Sequence, residues 1–155
     1  MGNRGNVIFV NGDEISPSVY LHWNGGPESV YAFLGEMDVR GIRYEPMYEA
    51  ARFTQIVGEF FDQDKYGTLS LGVANGPTEI TTAALLKVQT DDGDNGFYIV
   101  DRGAGMMRRW KGYPIVELDQ QNVTREKEGV GLEFALEIDK VFRDLAPGKE
   151  SNGYR

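Results

Sequence analysis

Two successive helical stripes constrain this chain more than any other feature. Val30, Phe33, Leu34 and Met37 fall at i, i+3, i+4 and i+7, and Phe53, Ile56, Val57 and Phe60 repeat the spacing. A helix with one apolar stripe must bury it against another element. The first helix is expected from Pro27 to Val39. Pro27 suits the first helical position, where no backbone donor is needed, and Gly41 marks the end. The second helix is expected from Pro46 to Phe61.

The surroundings of these helices read as strands. Asn6 to Val10 reads as a buried strand closed by the turn pair Asn11-Gly12. Ser18 to His22 alternates, with Val19 and Leu21 on one face and Tyr20 and His22 on the other. Thr68 to Ala74 alternates leucine and valine against threonine, serine, glycine and alanine, and so small a face admits a close backbone or a flat ligand. Phe97 to Asp101, Met107 to Trp110 and Ile115 to Leu118 are three further strands. In Glu79 to Thr90 the threonines and valine favour a strand, as which it enters the element order, while Ala83 to Leu86 is compatible with a helix. A last helix is expected from Gly131 to Leu145, stopped by Pro147-Gly148. The order ββααβββββα does not fit alternating βαβ units. The predicted class is α+β, an antiparallel sheet with two central helices and a C-terminal helix packed against it. A chain of 155 residues suits one domain, here 1–147, with 148–155 as a flexible tail.

Charge and composition then narrow the chemistry. A net charge of −8 argues against a general DNA or RNA surface, which needs a basic face. No cysteine is present, so disulfides, thiolate metal sites and cysteine nucleophiles are excluded. No apolar run is long enough for a membrane span. The sequence contains no phosphate-binding glycine loop of the GxxxxGK[ST] kind, no GxSxG and no HxxxH. No catalytic residue, metal ligand or cofactor is expected.

Four places carry candidate recognition chemistry. His22 is the sole histidine, which removes any two-histidine site. It is either a strand-end residue or, with Trp23 and Asn24, part of a pocket mouth. The Thr90 to Gly96 stretch resembles a calcium loop, but a frame begun at Asp91 puts Gly93 third and Arg102 twelfth, where oxygen ligands are required. It is a turn, or a loop whose Asn95 amide reads a ligand edge. Arg52 projects from the edge of the second helical stripe, where it must snorkel, pair with Glu49 or Glu59, or grip an anion. Arg108 and Arg109 sit in strand context, so they point to opposite faces. One of them can face a pocket, beside the Trp110 ring, in the pairing that suits phosphate and base.

With these residues in view, the chain resembles the phage-encoded Thoeris anti-defence sponge family, the first-described class that captures the signal made by TIR-domain defence enzymes. The resemblance runs in order through Met1 to Arg4, Val19 to Gly26, Ser29 to Leu34, Tyr48 to Phe61, Gly67 to Val73 and Asp92 to Val100, segments spread over the first two thirds of the chain. Its most specific pieces are Leu21-His22-Trp23-Asn24-Gly25-Gly26 and Gly93-Asp94-Asn95-Gly96-Phe97-Tyr98-Ile99. The resemblance implies tight binding of a cyclic ADP-ribose isomer without cleavage, by a homo-oligomer with ligand near the subunit boundary, in the host bacterial cytoplasm. In some members a separate site takes cyclic di- or trinucleotides. Carried over by position, Trp23, Arg52 and Asn95 match the motifs that hold the nucleotide, and Arg108 or Arg109 falls where a basic strand residue is expected. Two departures stand out. Ala74 to Thr90 is longer than the family pattern, and Glu49-Ala50-Ala51 stands where a Gly-Trp pair is commoner.

Two other functional classes compete. An acidic inhibitor could block a host defence protein by charge mimicry, as the net charge allows. A nucleotide-processing enzyme would have to use His22 as its acid or base.

Overall fold

The computed structural model describes residues 3–61, 71–88, 94–130, 140 and 142–143. In chain order the elements are β1 (Gly5–Asn11), β2 (Glu14–Ile15), β3 (Ser18–Leu21), α1 (Pro27–Arg40), α2 (Pro46–Phe61), β4 (Leu71–Ala74), α3 (Thr82–Val88), β5 (Phe97–Asp101), β6 (Met106–Lys111), β7 (Val116–Glu117) and α4 (Gln120–Glu128). One sheet contains all seven strands, in the order β4-β3-β1-β5-β6-β7, with β2 beside the far end of β1. The class is α+β, mostly antiparallel, as the element order predicts. The exception lies at the centre, where β1 and β5 run parallel from Asn6 opposite Phe97 to Val10 opposite Asp101.

That parallel pair explains the sequence of β1. Val7, Ile8, Phe9 and Val10 are all buried because both faces of the strand are covered. Val7 and Phe9 point toward α1 and α2, where they meet Phe33, Phe53, Ile56 and Val57. Ile8 and Val10 point the other way, onto Leu85 of α3, with Ile99, Trp110 and Ile115. Ala83 to Leu86 is therefore helical, which resolves the ambiguous stretch: the second sheet face needs a cover, and α3 provides it.

The two central helices form where their stripes place them. α1 ends at Gly41, whose φ of 69° is the left-handed geometry of a helix stop. α2 spans the expected residues. Phe9, Phe33 and Phe53 meet edge to face, with ring centroids 5.7 and 6.1 Å apart. Phe142 joins them at Phe33 and Phe60, so this part of the expected C-terminal helix packs on the α1–α2 side. Arg143 then reaches Glu36 of α1. The rest of that helix, the tail 148–155, and Thr68 to Ser70 of the fourth strand lie outside the described residues.

Two elements go beyond the sequence reading. α4 has no apolar stripe; Val123 is its single buried residue, so periodicity missed it. Its signal was the cap: the Asp119 side chain accepts from Asn122 N at 2.8 Å. β2 was missed because two residues show no alternation. Val73 lies opposite Val19, on the apolar face expected for it, yet is exposed on the outermost strand of the described sheet.

Candidate functional site

The two runs that carry the resemblance meet in space at the N-terminal end of β1. The crossing is backbone against backbone. A Cβ on Gly5 would lie 2.7 Å from the Gly25 carbonyl oxygen, and one on Gly25 would collide with Gly5 N. Only glycine permits so close an approach. Asn3 N donates to His22 O at 2.9 Å, Gly25 N donates to Asn3 O at 2.7 Å, and the Tyr98 hydroxyl donates to Gly25 O at 2.8 Å. Asn95 locks the same segment from the other side. Its Nδ2 donates to Asn3 Oδ1 at 2.7 Å and to Arg4 O at 2.9 Å.

Trp23 stands on this junction, 46% exposed, with the His22 ring edge-on at 5.3 Å. The turn beneath it is fixed. Asn24 takes a left-handed φ of 59° and its amide donates to Ser29 Oγ at 3.0 Å. His22 Nδ1 shares a 2.8 Å hydrogen bond with the Tyr20 hydroxyl. His22, Trp23, Asn24 and Asn95 are thus gathered at one end of the sheet, with Asn24 and Asn95 engaged in holding the backbone.

The arginines are distributed differently. Arg109 is fully buried. Its Nε donates to Glu126 Oε1 at 2.6 Å, and one terminal nitrogen donates to the carbonyls of Asn95 and Phe97, each at 2.7 Å. Its guanidinium lies 3.7 Å from the centroid of the Tyr98 ring. Burial would raise the Glu126 carboxyl, but Arg109 and Lys111 outweigh that and hold it below the usual range. Burial, with the Glu126 charge, pushes the Tyr31 hydroxyl up to about 12, and burial raises Tyr98 as well. Arg109 is thus a strut that ties α4 and the Asn95 turn to β6. Arg108 points to the opposite face, stacks 4.8 Å from the Trp110 ring and pairs with Glu117 at 2.9 Å.

Arg52 lies on α2 and donates to Gln55 Oε1 at 3.1 Å on its own helix. The two carboxylates offered to it by sequence each pair with another arginine. Glu49 pairs with Arg102 at 3.1 Å and Glu59 with Arg40 at 3.0 Å. Arg102 follows β5, so Glu49 marks the C-terminal end of the parallel pair, opposite the Trp23 junction.

Sequence reasoning missed an open cavity of about 350 Å³ between α1, the β5–β6 turn and α4. Tyr31, Leu34, Val100, Met107, Arg102 and Lys127 are among its lining residues, and none of the seven sequence-predicted site residues is. Tyr31, Leu34, Gly35 and Asp38 share the i, i+3, i+4, i+7 spacing. A second stripe on a helix already assigned to the core was the available signal.

The fold and these features define an α+β protein with a glycine-rich polar junction that displays an exposed tryptophan, and a separate cavity behind it. Among protein-family models, curated proteins and solved structures, none matches this chain. No helix among the described residues is long and apolar enough to cross a membrane.

Proposed function

We propose that this protein binds and sequesters a cyclic ADP-ribose-type signalling nucleotide without cleaving it, and so blocks Thoeris-type immunity. One observation carries the reading. The Leu21–Gly26 and Gly93–Ile99 runs, on which the resemblance chiefly rests, are brought into contact by the Tyr98–Gly25 hydrogen bond across 73 positions. The described part of this junction holds its backbone rigidly through Asn3, Asn24 and Asn95 and leaves the Trp23 face open to solvent. A rigid, exposed indole is a natural platform for a purine, since stacking on an aromatic ring contributes roughly 1–3 kcal/mol per base. A pre-ordered anchor also slows dissociation, which a sequestering protein requires.

The dianionic pyrophosphate needs cations, and in this reading Arg52 supplies one. Arg52 lies on α2 and no described contact joins it to Trp23. A site shared between copies of the chain, as the resemblance implies, accommodates both residues. Cyclic di- or trinucleotides belong to the same proposal as possible ligands of a second surface.

The test is calorimetric titration with glycocyclic ADP-ribose isomers, followed by denaturation and chromatography of the ligand. The expected result is tight binding with the isomer recovered intact. Trp23→Ala should weaken binding at least tenfold, with Arg52→Ala acting in the same direction. Recovery as ADP-ribose, lost in His22→Ala, would instead make the protein an enzyme. Failure of every isomer to bind would sink the reading and favour the acidic protein–protein inhibitor.

A further inference from the structure

The cavity behind the junction has a directional chemistry of its own. At about 350 Å³ it lies within the range of small-ligand sites, roughly 300–1,000 Å³. Leu34, Val100 and Met107 give it an apolar wall, with Met106 at the turn. Methionines adapt to irregular shapes and favour contact with aromatic rings. Tyr31 lies at one end, and its hydroxyl reaches Glu126 Oε1 at 3.5 Å. Lys127 also lines the cavity, one residue along α4 from Glu126 and so within one residue's rise of the Tyr31 contact, and none of the ion pairs among the described residues uses it.

The other end is acidic. Asp38 lies seven residues along α1 from Tyr31, about 10 Å at 1.5 Å per residue. Asp101 lines the cavity with it. The Arg102 guanidinium there is already committed to Glu49 at 3.1 Å, to Asp38 at 3.7 Å and to the face of Tyr44 at 4.2 Å. Glu126 at the Tyr31 end is neutralised by Arg109 and Lys111, so a ligand meets the unengaged Lys127 there, and at the Asp38 end two lining carboxylates, Asp38 and Asp101, against the one Arg102 guanidinium.

We propose that this cavity is a ligand site separate from the Trp23 junction, and that it takes a small molecule with an aromatic or apolar body and a single anionic group. The body lies on the methionine and leucine wall and the anionic group meets Lys127. Asp38 and Asp101 disfavour a second anionic group, which sets this ligand apart from a dianionic nucleotide.

Gly35 provides the decisive variant. It lines the cavity, and a Cβ built on it meets nothing within 4 Å, so the Gly35→Leu side chain starts into open space at the cavity wall. The probe is 8-anilinonaphthalene-1-sulfonate, an aromatic body with one sulfonate, followed by fluorescence and by NMR of carbon-13-labelled methionine methyls. The expected result is one saturable site with shifts at Met106 and Met107. Gly35→Leu should weaken binding at least tenfold and Lys127→Glu three- to tenfold, while Trp23→Ala leaves it unchanged. Unchanged affinity in a folded Gly35→Leu protein would overturn the proposal, as would methyl shifts confined to other methionines. Competitive displacement of the probe by a cyclic ADP-ribose isomer would also overturn it. Should Gly35→Leu lose its far-UV circular dichroism, Lys127→Glu and the methyl map decide alone. Since Trp23→Ala spares this site, its failure and the failure of the nucleotide reading are distinguishable.

Discussion

Gly96 and Gly35 show how one residue type acts in opposite directions in this protein. Gly96 has a φ of 65°, and a Cβ there would collide with the Trp110 carbonyl oxygen. Left-handed backbone at a non-glycine residue costs about 1–3 kcal/mol before any clash is counted. Gly96→Ala should therefore destabilise the protein by more than that range's lower end, read as a fall in the urea midpoint. Gly35 is helical and open around its Cβ position. Gly35→Ala should stabilise by about 0.5–1 kcal/mol, because a helical glycine surrenders more chain entropy than alanine on folding. The sequence shows both glycines and distinguishes neither. The Asn95-Gly96 pair reads as a turn from composition alone, whereas the near contact with Trp110 arises from strand β6, fourteen positions on.

At the scale of elements, α4 is held by charge where α1 and α2 are held by apolar area. α4 buries one residue, Val123, yet Glu126 anchors it to the buried Arg109. Removing one member of a buried pair leaves the other desolvated and unpaired, at about 3–5 kcal/mol. Glu126→Gln should cost an amount in that range by chemical denaturation, and hydrogen exchange should rise across Gln120–Glu128. This arrangement also explains which elements were legible. α1 and α2 announce themselves because burying an apolar stripe imposes a 3.6-residue period on the sequence. α4 imposes no period, since an ion pair with β6 needs one correctly placed carboxylate. α3 was ambiguous for a related reason: Ala84 and Leu85 suffice to cover the second sheet face at that point. Proximity along the helix offers Arg52 both Glu49 and Glu59, and it does not show that Glu49 serves Arg102 and that Glu59 serves Arg40, partners from other elements.

For the whole molecule, two ion-paired carboxyls bend the pH dependence in opposite senses. Glu126 is held below its unfolded value, so the unfolded chain binds more protons in that interval. Its contribution is present above the unfolded value of about 4.3 and is lost as the pH falls through the native value. Burial raises Glu49, with Arg102 opposing and Asp38 assisting the rise. There the native state holds the extra proton, and the contribution is lost as the pH rises from the unfolded value through the native one. Urea titrations from neutrality into acid should show a loss of stability that Glu126→Gln flattens at the acid end. Glu49→Gln should leave that limb in place. A protein whose acid limb was unaffected by Glu126→Gln would not have the Arg109 pair as its acid-sensitive contact.

The sequence by itself determined the class, the two central helices with their ends, and the strand character of β1, β3 and β5, because each of these writes a periodicity or a stop residue into a short window. It also singled out His22, Trp23 and Asn24 as one candidate cluster and Asn95 as another, without placing the two together. Tertiary structure alone decided the parallel pairing of β1 with β5, the second helical layer, the commitment of Arg109 to Glu126, and the cavity beside Tyr31. Each of those depends on contacts between segments distant in the chain, where the sequence specifies a compatible side chain and only the folded geometry selects its partner.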